Sequence, residues 1–286
     1  MIMDPIQKQK ILNNWAYDCC CTYDHNYQDE YVQANHKTIG NYVVHGSLSS
    51  RPWIMTLGGS TTSAVQGAMW SEYLYNIFKS ENTECCIFNG GCGGYNSWNE
   101  LNKLARDIPT FRPDIIISYS GINDYYLQIH QDNPLMNQTG LKEISSLDLF
   151  RSTNIPKTSL DHADVFLARS IQMNAISSSF GSKFLRILQP TLGYGNYKYD
   201  IFDPLDYSFM QVVNENSLER VKRLKPFYEK IIDKLSSEPE RYSFLKNETS
   251  LFDDQSRLFA DFRHPNPSGY RIIAQRIYQL IKELPC

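Results

Sequence analysis

The sequence predicts an α/β fold: a three-layer α/β/α sandwich around a mainly parallel sheet. Short apolar runs of strand length alternate with longer segments whose apolar residues recur at helical spacing. At least one run, "DIIISYSG", is apolar enough to be buried on both faces, as strands of a covered parallel sheet are. The chain is also large enough for such a core: 286 residues, 42% hydrophobic and 21% charged. Strand–helix alternation implies right-handed crossovers and helices on both sides of the sheet.

The elements follow in order. "WIMTLGG", from Trp53, is the first strand. Val65, Met69, Tyr73 or Leu74, and Ile77 then keep helical spacing, which starts a helix directly after the turn. "CCIFNGG" is the second strand. "SWNELNKLARDI" follows, with Ser97 and Glu100 in capping-box spacing and an apolar face of Trp98, Leu101, Leu104, Ala105 and Ile108. After Pro113 comes "DIIISYSG", the third strand. Residues 128–160, of mixed polarity with prolines and glycines, are expected as an insertion over one face. Asp164 is the expected cap of a helix running to Phe180. "KFLRILQP" is the fourth strand, and residues 193–213 are expected as a second, irregular insertion. Helical spacing returns over 214–235. A last helix begins near Ser268, with Ile273, Ile277, Leu280 or Ile281, and Leu284 on one stripe. Residues 1–50 are polar and Tyr-rich with one strand-like piece, "NYVVHG". They are expected as an N-terminal extension packing on the core, ahead of a single domain over 51–286.

Bulk properties narrow the function classes. The net charge is −3 and there is no Lys/Arg block, so no nucleic-acid partner is expected. The first residues lack the apolar region of a signal peptide, and no run reaches about 18 apolar residues. A cytoplasmic protein without a membrane span is the expectation. Seven cysteines, several of them adjacent, suit free thiols better than a disulfide framework. With no Cys-x-x-Cys pair, no zinc site built from cysteines is expected, and neither a metal nor a cofactor is expected for the chemistry read below. The oligomeric state is not legible.

Open parallel sheets bind ligands beyond the carboxyl ends of their strands. That directs attention to the turns after Leu57, Phe88, Ser120 and Pro190. The first holds "GGST". It lacks the lysine of a phosphate-binding loop and the second glycine of a Gly-x-Ser-x-Gly elbow. Free N–H groups at the start of a helix there either cap it or hold an oxyanion beside Ser60. The second, "NGGCGGYNS", fails the dinucleotide spacing because Asn96 stands where a third glycine should. Its glycines let backbone approach a ligand closely, or simply make a flexible turn. The third, "SGINDYY", carries Asn123, either a turn residue or an amide donor aimed at the same point as the Ser60 backbone N–H. The fourth signal is "DFRHPNPSGY". Asp261 and His264, three apart, either form a carboxylate-oriented imidazole base or are a cap and a surface histidine. Together they offer a nucleophile, a base, an orienting carboxylate and oxyanion donors, the parts that acyl transfer needs.

The set "GGSTT", "NGGCGG", "GIND" and "DFRH" resembles the four blocks of the SGNH (GDSL-type) hydrolase superfamily, from about Trp53 to the C-terminus. The resemblance implies a flavodoxin-like SGNH fold. It makes Ser60 the nucleophile, His264 the base and Asp261 its partner. Its oxyanion hole would consist of the Ser60 and Gly94 backbone N–H groups and the Asn123 side chain. Gly59 replaces the usual aspartate of Gly-Asp-Ser, as in a bacterial Gly-Gly-Ser-Thr-Thr type. The implied activity is hydrolysis of an acyl ester on a small molecule or saccharide, such as an acetyl group on a carbohydrate. Acyl transfer with the same residues, a lipase or thioesterase, and a non-catalytic binding module are the alternatives. The tyrosines of "GYGNYKYDIF" either stack on sugar rings or pack as ordinary side chains.

Overall fold

The four apolar runs become the centre of the sheet. The structure, a computed structural model, describes residues 15–18, 22–25, 37–63, 69–127, 159–214 and 219–285. Strands β5 (Trp53–Gly58), β6 (Cys86–Asn89), β7 (Ile115–Ser120) and β8 (Lys183–Leu188) are those runs. Among the described residues the sheet has seven strands in the order β3-β4-β6-β5-β7-β8-β9, with β9 formed by Leu245–Asn247. From β6 to β9 all neighbours are parallel. β3 (Lys37–Ile39) and β4 (Tyr42–Gly46) add an antiparallel edge, Val43 pairing with Asn89 of β6. Part of the segment expected as an extension therefore lies in the sheet itself. A separate antiparallel pair, β1 (Trp15–Asp18) and β2 (Thr22–His25), precedes it.

Two hydrophobic cores make the outer layers. On one face, α2 (Ser97–Phe111), α4 (His162–Ser179) and α6 (Glu219–Ser237) bury Leu104, Ile108, Phe166, Met173, Phe227 and Ile231 against Met55, Phe88 and Ile116. On the other, α1 (Trp70–Ser80) and α7 (Pro267–Lys282) bury Trp70, Leu74, Phe78, Ile273 and Ile277 against Ile54, Ile87 and Ile117. Alternate strand residues thus feed opposite layers, as the pleat requires. Such burial stabilises by about 1.5–3 kcal/mol per large apolar side chain.

Several boundaries differ from the sequence expectation. After the first turn, residues 64–68, Val65 among them, lie outside the described residues; α1 begins at Trp70, after Met69 in extended conformation. α2 is capped by Asn96, whose side chain accepts from the Trp98 and Asn99 N–H groups. Asn99, rather than Glu100, closes the box. The buried stripe of α2 includes Glu100 and Lys103, whereas Ala105 is exposed and Trp98 and Leu101 are half-buried. α4 is capped by Asp161, and Asp164 is the reciprocal member of its box. The stretch expected as irregular over 193–213 is so only to residue 203, because Pro204–Asn214 forms α5. In the insertion expected over 128–160, residues 128–158 lie outside the described residues. No helix among the described residues is long and apolar enough to cross a membrane.

Candidate active site

Ser60 stands one residue beyond Gly59, in the turn that closes β5. Gly59 O accepts from both Thr62 N (3.0 Å) and Ser63 N (3.1 Å), so the chain reverses in a single tight turn. Four hydroxyl residues follow Gly59, from Ser60 to Ser63, and the two threonines are structural. Thr62 Oγ1 accepts from the Trp70 indole at 3.2 Å, and Thr61 Oγ1 donates to Gln189 Oε1 at 3.4 Å. Both threonines are buried, whereas Ser60 is half-buried. The helix start expected directly after this turn falls on residues 64–68, which lie outside the described residues; the next described helix begins at Trp70.

His264 reaches this turn from the loop before α7. The chain forms a small hairpin: Phe259 bridges Pro265, Ala260 N donates to His264 O, and Asn266 N donates to Leu258 O. At its tip, Asp261 Oδ1 accepts from Arg263 N (2.8 Å) and His264 N (2.9 Å). The other oxygen, Oδ2, lies 2.7 Å from His264 Nδ1. His264 Nε2 lies 2.7 Å from Ser60 Oγ. Burial pushes the Asp261 carboxyl up, but the imidazole and the two backbone N–H groups outweigh it and hold the carboxyl down at about 2. An ionised carboxylate on Nδ1 assigns the ring proton to that nitrogen and leaves Nε2 as an acceptor for the Ser60 hydroxyl.

Asn123 lies in the first turn of α3 (Ile122–Leu127). One hydrogen of its amide donates to Tyr95 O at 2.7 Å; the other has no acceptor among the described residues. The amide rests against Gly59, as does Tyr95 O. Gly94, with φ +81, is the residue that turns the chain into Tyr95. Among the described residues neither its N–H nor that of Ser60 has a hydrogen-bond acceptor. Ser60, Asp261 and His264 are therefore joined in one chain of hydrogen bonds. Asn123 is beside it through Gly59, and Gly94 is next in sequence to the carbonyl that Asn123 holds.

Some supporting residues escaped the sequence reading. Asn89, at the end of β6 and fully buried, is one. Its Nδ2 donates to Thr62 O (2.8 Å) and Ser71 Oγ (2.9 Å), and its Oδ1 accepts from Gly91 N (2.9 Å). It thereby ties the Ser60 turn to the glycine loop. Asp124 is another, accepting from Ser97 at the start of α2. The available signal was an amide or carboxylate closing an apolar run, which the neighbouring glycines and Asn123 overshadowed. A cavity of about 460 Å³ lies away from this site, at the amino ends of β8 and β9. Among the described residues no group of three or more His, Cys, Asp or Glu is placed to hold a metal ion.

No family model matches the sequence, and no curated protein matches it. Solved structures do. Among the structures similar to this chain is an arginine-to-alanine variant of Axe2, an acetyl-xylooligosaccharide esterase from Geobacillus stearothermophilus. It has a TM-score of 0.52 and 14% identity over 80% of this chain and 94% of that chain. A catalytic histidine-to-alanine mutant of the same acetylxylan esterase has a TM-score of 0.51 and 12% identity, over 80% and 94% of the two chains. At these identities the likeness is one of fold.

Proposed function

We propose that this protein is a serine ester hydrolase that works through an acyl-enzyme. The observation that carries the reading is the unbroken chain from Ser60 Oγ through His264 to Asp261, with 2.7 Å at each side of the imidazole. In this mechanism His264 Nε2 removes the Ser60 proton as Oγ attacks the ester carbonyl. The new C–O bond pushes the carbonyl electrons onto oxygen. The N–H groups of Ser60 and Gly94 and the free amide hydrogen of Asn123 receive that oxyanion. The imidazolium, steadied by Asp261, then protonates the leaving alcohol. Water, deprotonated by the same nitrogen, cleaves the acyl-enzyme and restores Ser60. The substrate we propose is a short acyl ester, an acetyl group on a carbohydrate. Support comes from the fold shared with an acetyl-xylooligosaccharide esterase.

Ser60→Ala is expected to fold normally and to lose labelling by a fluorophosphonate probe. Labelling that persists in the variant would place the nucleophile elsewhere and end the reading. Asn123→Ala should lower kcat about 10²–10³-fold, the usual effect of removing one oxyanion donor. A loss below threefold would remove Asn123 from that role. A series of p-nitrophenyl esters of rising chain length should show highest kcat/KM for acetate; preference for long chains would replace the deacetylase reading with a lipase.

A further inference from the structure

We propose that Asp124 is a positioning residue for the oxyanion donors, fixing the direction of the Asn123 amide relative to the loop that carries Gly94. The inference rests on the ester hydrolase reading above.

The two donors sit on different segments, the loop after β6 and the short helix after β7. Asn123 alone joins them through a single hydrogen bond to Tyr95 O. One bond leaves a pivot. The adjacent residue supplies the second point. Asp124 Oδ2 accepts from Ser97 N at 3.0 Å and Oδ1 from the same N–H at 3.2 Å, and Ser97 Oγ also donates to this carboxylate. Tyr95 and Ser97 are two residues apart on one segment; Asn123 and Asp124 are neighbours on the other. Two bonded points on each segment remove the rotation that one would allow.

The chemistry suits a carboxylate. Ser97 is the first residue of α2, where backbone N–H groups lack intrahelical acceptors and the helix dipole favours a negative charge. From behind, Arg169 Nη1 of α4 donates to Ser97 Oγ at 3.2 Å, which turns the hydroxyl proton toward Asp124. Asp124 is 4% exposed and Ser97 is fully buried. The carboxylate therefore acts through Asn123 and not on substrate.

The test is a double-mutant cycle on p-nitrophenyl acetate, with Asn123→Ala, Asp124→Ala and the pair, together with fluorophosphonate labelling of each. Asp124→Ala is expected to lower kcat about 10²-fold, the scale of a small misplacement of catalytic groups, with KM nearly unchanged. The double variant should lose no more than Asn123→Ala alone, because residues acting as a unit are non-additive. Asp124→Asn still accepts from Ser97 N and should recover most of the rate; Asp124→Ser, too short to reach Ser97 N, takes the place of Asp124→Ala in the cycle if the alanine variant does not fold. Losses that multiply, or an Asp124→Ala kcat equal to wild type, would overturn the positioning role and leave the hydrolase reading standing. Wild-type protein that neither labels nor hydrolyses the ester would overturn both.

Discussion

Gly59 is glycine because the Asn123 amide needs its space. A Cβ at this position would overlap Asn123 Nδ2 and come within 3.1 Å of Tyr95 O. This accounts for the departure from Gly-Asp-Ser: here a side chain at 59 would push out the amide proposed to bind the oxyanion. Gly59→Ala is accordingly expected to leave the melting temperature close to wild type while lowering kcat toward the Asn123→Ala value, about 10²-fold. Unchanged kcat would show that the amide tolerates displacement. Asp261 invites a contrast with buried triads. Its side chain is 59% exposed, so water competes for the task of orienting His264. Asp261→Asn should lower kcat less than the ~10⁴-fold known for a buried triad aspartate; a full loss of that size would mean that substrate excludes the water. The meeting of Ser60, His264 and Asp261 was legible because each lies in a segment where an open parallel sheet gathers its turns, and Asp261 and His264 are only three residues apart. Asn89 and Asp124 were not, because their roles depend on Thr62, Gly91 and Ser97, contacts that a sequence places far away or leaves unspecified.

Elements were legible in kind and less so at their ends. Each of the four central strands falls on its apolar run, since runs of four to six residues bounded by turn residues are strand length and too short for a core helix. Helix starts slipped for a stated reason. A capping box is reciprocal, so both of its members look like caps. In α4 Asp164 was the expected cap, yet Asp161 accepts from Asp164 N at 3.0 Å and Asp164 Oδ2 accepts from Asp161 N at 3.1 Å. In α2 the choice of Asn96 over Ser97 frees Ser97 to meet Asp124. Asp161→Ala is expected to cost about 1 kcal/mol in a denaturant titration, the value of a lost cap. The ion pair of Asp161 with Lys230 adds little, since both side chains are more than a third exposed and such pairs are screened. A titration in high salt separates the two: the cap loss persists, and a loss that vanishes would assign the effect to the ion pair.

At the scale of the whole molecule, the sheet's antiparallel edge and its buried charges were the parts the sequence concealed. β4 reads as a short strand-like piece, but its partner β6 lies more than forty residues further on, and nothing local fixes that register. The charges are hidden by the same periodicity that reveals helices. On α2 the inward stripe carries Glu100 among Leu104 and Ile108, at the face where β7 and β8 supply Ser118, Ser120 and Arg186. Ser118 Oγ donates to Glu100, Arg186 Nη2 donates to Ser120 Oγ at 3.3 Å, and Asp124 of α3 is the other carboxylate nearby. Burial raises the Glu100 carboxyl from 4.5 to about 6, against the pull of Arg186 and the two serines. A folded carboxyl above its unfolded value contributes stability that is complete below 4.5 and is lost as pH rises through about 6. Glu100→Gln is neutral at every pH and lacks this slope. In acid it matches the protonated, uncharged carboxyl of the wild type, so the two proteins should be about equally stable there. From about pH 4 to about pH 7.5 the difference should then move in the variant's favour by about 2 kcal/mol. Paired denaturant titrations across that range read the change directly, with other titrating groups cancelling between the two proteins. Curves that stay parallel would mean that Arg186 and the serines fully offset the burial of Glu100, and that the cluster is ionised throughout.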